Sequence, residues 1–204
     1  MDSKSYKTAI HLLNDGVNQF IAEFSTDYRL ANIVDLSILT YGECGVVYQD
    51  FAPISKIEPI NLIANHSSAY IADTIDMAIE NTRNRIKLYC GGTYKPWIIF
   101  ITDGEFHDSH DNFMSVTNKV QKREQENKLR FFCLGIGNNF DPTPFKTLTN
   151  NVFVLNKYKF PEFFVWLKRA FIELHCYAQA TVAPTPLPSN DDPNEPGQKI
   201  FYPV

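Results

Sequence analysis

Asp103 is the residue whose surroundings point most directly to chemistry. It stands in "IIFITDGEFHDS" at 98–109, where an apolar run stops at Thr102-Asp103-Gly104 and the chain turns acidic. A carboxylate at the end of a buried strand can ligate a hard cation such as Mg²⁺ through oxygen. It can also close the next turn, because Asp accepts from the backbone two residues on and Gly tolerates the turn conformation. Just beyond, "EFHDSHD" supplies His107, Asp108, His110 and Asp111. Their His-x-x-His spacing lacks a third ordered ligand, so the stretch reads as a solvated loop in which Asp108 caps the following helix. Ser67 and Ser68 precede another helical stretch and offer hydroxyls that can serve as its N-cap.

Other chemistries find little support. The chain contains no G-x-x-x-x-G-K-[ST], G-x-S-x-G or G-x-G-x-x-G motif. A phosphotransferase built on an aspartate nucleophile and Mg²⁺ needs a second Asp two residues after the first, and that position holds Glu105. A Mg-dependent phosphohydrolase or phosphotransferase centred on Asp103 is therefore the alternative reading, and a non-enzyme the leading one. His11, His66 and His175 have no sequence partners, and "KREQE" at 122–126 is a mixed-sign helix end. Cys44, Cys90, Cys133 and Cys176 are scattered singly, which suits neither a zinc site nor a disulfide framework. That usage predicts a reducing, cytoplasmic setting, with Cys133 in the core.

The 204 residues suffice for one well-buried domain, and 44% hydrophobic and 14% aromatic content exclude a disordered chain. A net charge of −4 argues against nucleic acid and anionic membrane as partners. No apolar run approaches the roughly 20 residues that span a bilayer.

The elements that must position Asp103 follow from periodicity. Tyr6, Ile10, Leu13, Val17, Phe20 and Phe24 are spaced as a helix, with Gly16 marking a close approach to a neighbour. "IVDLSILTYG" and "GVVYQDFAPI", separated at Gly42 and Gly45, predict a hairpin. A helix over "SAYIADTIDMAIENTRNRIKLY" leads to the strand "KPWIIFIT", whose unbroken apolar run predicts cover on both faces. A helix from about Asn112 to Glu124, the strand "LRFFCLGIG", a short Pro-started helix, the strand "NVFVLN" and a closing helix complete the alternation. The expected fold is α/β, doubly wound, with a mostly parallel central sheet and helices on both faces. In such sheets ligands sit at the carboxyl ends of the strands, where Asp103 stands. From Thr181 prolines at 184, 186, 188, 193 and 196 predict a tail.

In this order and spacing, "VDLSILTYGE", "SSAYIADTIDMAIE", "IIFITDGEFHD" and "FFCLGIGNNFD" resemble the von Willebrand factor A (vWA) domain family, closest to its bacterial TerY-like members. The resemblance covers roughly residues 1 to 175 and implies a vWA-like domain over 1–178 and a Pro-rich tail with a short apolar end over 179–204. It implies a protein-interaction module in a stress-response, signalling or defence complex, with tellurite resistance and a kinase or phosphatase partner as context. The family's metal site joins D-x-S-x-S, a Thr and the Asp of T-D-G on one cation. Here Asp103 matches the third element, and the Thr position falls on Ser68 or Ala69. The resemblance thus implies an incomplete metal site of Asp103 and Ser68, and a partner surface of Asp103, Gly104, Ser67 and Ser68. No tightly bound cofactor is expected, and Mg²⁺ only where the missing motif is supplied.

The strand carrying D-x-S-x-S is absent ahead of the first helix: Asp2, Ser3 and Ser5 do not restore the spacing. In the family that strand lies between those expected at 34–41 and 96–102. Three outcomes are open: a chain started at an internal methionine, a slot filled by another segment, or a sheet closed around the gap. "KIFYPV" at 199–204 is the spare apolar segment, although Pro203 disfavours it as a central strand.

Overall fold

Val17, Phe20, Ile21 and Phe24 recur at three- and four-residue intervals and bury one face of helix α1, Ala9–Thr26. The computed structural model describes residues 8–28, 30–64, 68–180, 189–192, 194 and 198–203, with backbone alone at 176–180 and 203. Strands β1 (Asp35–Thr40) and β2 (Val46–Pro53) follow, then a 3-10 turn at Ile54–Lys56. The expected alternation comes next: α2 (Ala72–Ile86), β3 (Trp97–Thr102), α3 (His110–Gln125), β4 (Arg130–Gly135), α4 (Thr143–Leu148), β5 (Val152–Leu155) and α5 (Phe160–Ala180). A short strand β6, Phe201–Pro203, closes the chain.

The fold is α/β, of the vWA/Rossmann-like kind, with helices around parallel and antiparallel strands. β3 pairs in parallel with β4, and β4 with β5. β1 and β2 are joined by residues 41–45 alone, a connection short enough only for an antiparallel hairpin. The strands nevertheless form two sheets, β1-β2 and β3-β4-β5-β6. No strand ladder joins β1 to β3 among the described residues.

Two compact units share the chain, and β1, β2, β5 and β6 each run across a unit boundary. In the unit made of residues 1–36, 52–64 and 155–201, α1 packs on α5. Gly16 makes that approach possible, because a Cβ there would lie 2.8 Å from Phe164 Cδ2 and 3.1 Å from the Phe160 carbonyl carbon. On α1, the Asn18 side chain donates to Ile60 O at 2.9 Å and accepts from Ile60 N–H at 2.7 Å. Asn14 treats Leu62 the same way, at 2.9 Å in both directions. These side-chain amides supply the bonds that a neighbouring strand would otherwise give the extended segment.

The composition from Thr181 onward predicts a tail. Residues 181–188 lie outside the described residues, but Ile200 and Phe201 are buried, with Phe201 edge-on to Trp166 at 4.8 Å. Asp192, 3% exposed, pairs with Lys159. The apolar end of the chain is therefore core. It stands beside β5, at the opposite edge of the sheet from β3, so it does not fill the expected slot.

In the unit holding residues 37–51, 65–154 and 202–204, Ile71, Ile75 and Ile79 of the α2 segment and Phe113, Val116 and Val120 of α3 meet Phe100, Phe131 and Cys133 from the strands. The even-numbered residues of β3 point their backbone groups at β4, since Pro96 O accepts from Arg130 N–H and Thr102 O from Ile136 N–H, both at 2.9 Å. With a period of two, the N–H and C=O of Ile99 and Ile101 point the other way. Among the described residues no helix is long and apolar enough to cross a membrane.

Candidate functional site

The carboxyl end of β3 is built as a tight turn. Thr102 is buried, and its hydroxyl accepts from Gly104 N–H at 3.1 Å. Asp103 is exposed, and its Oδ1 accepts from Glu105 N–H at 3.2 Å. Gly104 takes φ +99, a left-handed conformation that disfavours any residue with a Cβ. The local chemistry of T-D-G is thus turn formation, with one Asp103 oxygen left toward solvent.

The next segment carries an arrangement that spacing concealed. Asp108 does not cap the helix that follows it. Its Oδ2 accepts from Ile71 N–H at 2.7 Å and its Oδ1 from Ala72 N–H at 3.0 Å, so it caps α2 from 36 and 37 residues away. Ser109 takes the expected role at α3, accepting from Asn112 N–H at 3.3 Å. The Ser67/Ser68 cap is corrected by the same observation: α2 begins at Ala72, and its N-cap, Ile71, has no side-chain cap bond of its own. A carboxylate at a helix N-terminus satisfies orphan amides and complements the helix dipole. His107 reinforces the junction: its backbone N–H donates to Ala69 O at 2.7 Å, and its ring Nδ1 accepts from Ala69 N–H at 3.2 Å.

The segment carrying Ser68 is thereby held against the segment that follows Asp103. Ser68 is exposed, and Ser67 lies outside the described residues. Among the described residues no group of three or more His, Cys, Asp or Glu is arranged to hold a metal ion. Mg²⁺ takes six oxygens in near-octahedral array. The described residues offer it one outward carboxylate oxygen and one hydroxyl, and they do not fit a resident Mg²⁺.

Tyr41, just past β1, completes the picture. It donates its phenol hydrogen to Ile101 O at 3.1 Å, and its ring lies 5.5 Å from that of Phe100. Burial, joined by the charge of Asp103, pushes the Tyr41 phenol up to about 12 against an opposing hydrogen bond with Thr102. Nothing in the spacing of "LTYGE" marks this role. Cys133 is fully buried, and burial raises its thiol to about 12, which keeps it protonated and unreactive.

No protein family matches the chain, and no curated protein matches its sequence. Its fold is shared by solved structures of proximal thread matrix protein 1 from the mussel byssus. One of them, crystal form 2, matches with a TM-score of 0.55 and 15% identity over 82% of this chain and 43% of that one. Another matches with a TM-score of 0.54 and 14% identity over 76% of this chain and 40% of that one. The chain spans less than half the length of these neighbours, and what it shares with them is an α/β fold.

Proposed function

We propose that this chain is a vWA-type domain acting as a non-enzymatic protein-interaction module, and that an extended partner segment docks on the edge of β3 that faces away from β4. The observation that carries the reading is the β3 edge at Ile99 and Ile101, which faces away from β4 and which, among the described residues, no strand covers; the Tyr41 hydroxyl donates to it at Ile101 O. An edge of this kind binds an extended segment by main-chain hydrogen bonds, with pockets for alternate side chains giving specificity. Turn-forming roles for Asp103 and Gly104 and a helix-capping role for Asp108 also favour binding over catalysis. The fold neighbour is named a matrix protein, which suits a binding role. A TerY-like place in a bacterial stress-response, signalling or defence complex, with a kinase or phosphatase partner, is the setting the motif resemblance suggests.

Selection of peptides from a random library on the folded chain tests the slot. Bound peptides should slow hydrogen exchange at Ile99 and Ile101 and should lose affinity for Ile99→Pro, which removes the outward N–H and leaves Ile98 and Phe100 their ladder donors, provided circular dichroism shows the variant folded. Binders that map elsewhere would sink the slot. A screen against phosphoesters with Mg²⁺ or Mn²⁺ tests the non-enzymatic half: turnover abolished by Asp103→Asn would overturn it.

A further inference from the structure

At the amino-terminal end of the parallel strands, far along β3 from Asp103, lies a groove of about 490 Å³ between the C-terminal turns of α2 and α3. Five cations line it: Arg83 and Lys87 from the α2 end, Lys95 from the approach to β3, and Arg123 and Lys128 from the α3 end. The whole chain has a net charge of −4, so this concentration is local. Two of the five have carboxylate partners, Glu80 on Arg83 at 3.2 Å and Glu126 on Lys128 at 2.9 Å. Lys87 donates to the neutral Asn84 side chain at 3.1 Å, and Lys95 to the neutral Asn127 side chain. Arg123 is half-buried and has no ion pair among the described residues.

Cations near helix C-termini complement the helix dipole, and that alone could account for Arg83 and Arg123. It does not account for Lys95, which belongs to neither helix, nor for convergence on one cavity. Glu126 beside the groove is held below its ordinary value first by a hydrogen bond from Lys128, with the charges of Lys128, Lys122 and Arg123 adding to it. The cavity has the size of a small-ligand site. Its lining includes the buried apolar side chains of Ile79 and Leu129, which keep water from one side, where charge pairing is stronger.

We infer that this groove binds a small, multiply charged phosphate anion, held by Lys87, Lys95 and Arg123. Guanidinium and ammonium groups suit phosphate oxygens, Arg as a planar fork and Lys as a point charge. The inference does not depend on the β3 slot, since no residue of β3 lines the groove.

Calorimetric titration of the whole chain with inorganic tripolyphosphate in low salt is the test. The expected result is saturable 1:1 binding that weakens about tenfold in Arg123→Gln and vanishes in the triple variant Lys87→Gln/Lys95→Gln/Arg123→Gln, with circular dichroism unchanged. Raising the salt should weaken binding in the parent chain. No heat up to millimolar tripolyphosphate would overturn the inference, as would equal affinity in the triple variant. Loss of melting temperature in the variants without any phosphate binding in the parent would assign these cations to the helix ends alone. Binding to anionic vesicles with none to tripolyphosphate would also refute a soluble phosphate ligand.

Discussion

Tyr41 donates to the carbonyl of Ile101 across 3.1 Å, from the end of β1 to the edge of β3 that no strand covers among the described residues. One vacant strand position between two strands corresponds to about 9.5 Å, twice the normal inter-strand spacing. A tyrosine side chain is long enough to reach across much of such a gap, and its ring also covers Phe100. The phenol thus satisfies one backbone acceptor that a central strand would otherwise have met.

Hydrogen exchange at single-residue resolution should divide β3 by parity. The amides of Ile98 and Phe100 belong to the β3–β4 ladder and should exchange slowly, whereas those of Ile99 and Ile101 should exchange quickly. Slow exchange at all four would mean that a strand already occupies the slot in the isolated protein.

Tyr41→Phe should cost about 0.5–1.5 kcal/mol, the usual worth of one hydrogen bond. It should also change the pH dependence. The folded phenol sits at about 12, above its ordinary value of 10.0, so the unfolded chain loses this proton first. The stability linked to Tyr41 is therefore complete below pH 10 and is lost as the pH rises toward 12. Urea titrations from pH 8 to 11.5 should show a steeper alkaline loss in the parent than in the variant. Parallel curves would remove Tyr41 as the source.

Asp108→Ala should destabilise the fold by about 1–2 kcal/mol, because it frees the Ile71 and Ala72 amides at the start of α2. Asp111→Ala, an exposed first-turn acid of α3, should cost less than about 1 kcal/mol. Urea midpoints measure the difference, and faster amide exchange at Ile71 and Ala72 in Asp108→Ala alone localises it. Equal midpoints for the two variants would contradict the long-range cap.

Phe201→Ala should cost about 3 kcal/mol, since a 5% exposed ring packed on Phe163 and Trp166 leaves a cavity when truncated. Tyr202→Ala, at a 45% exposed neighbour, should cost far less. Thermal unfolding of the two variants checks this. A solvated tail would predict no change in either.

How much of this was legible in the sequence differs from element to element. The stripe of Val17, Phe20, Ile21 and Phe24 announces a helix face, and the unbroken run before Asp103 announces a strand, although only Phe100 and Thr102 of it are buried and the rest is half-buried. Both signals are local, because periodicity records which side of an element meets apolar surroundings. T-D-G likewise announces a turn, as Gly104 at φ +99 shows. Periodicity does not record which surroundings are met. Asp108 finds its partners 36 and 37 residues back, Tyr41 finds Ile101 60 residues on, and Lys159 finds Asp192 33 residues away. None of these pairs has a spacing signature, since each exists only after the strands are ordered in the sheet. The same holds for the chain's end, where composition describes a tail and the β5 edge makes Ile200 and Phe201 part of a core. Sequence alone determined the elements from α1 to α5, their order and the turn at Asp103. Tertiary structure decided where the last strand goes and which edge stays open, because backbone donors and acceptors are satisfied by whatever the fold brings near them.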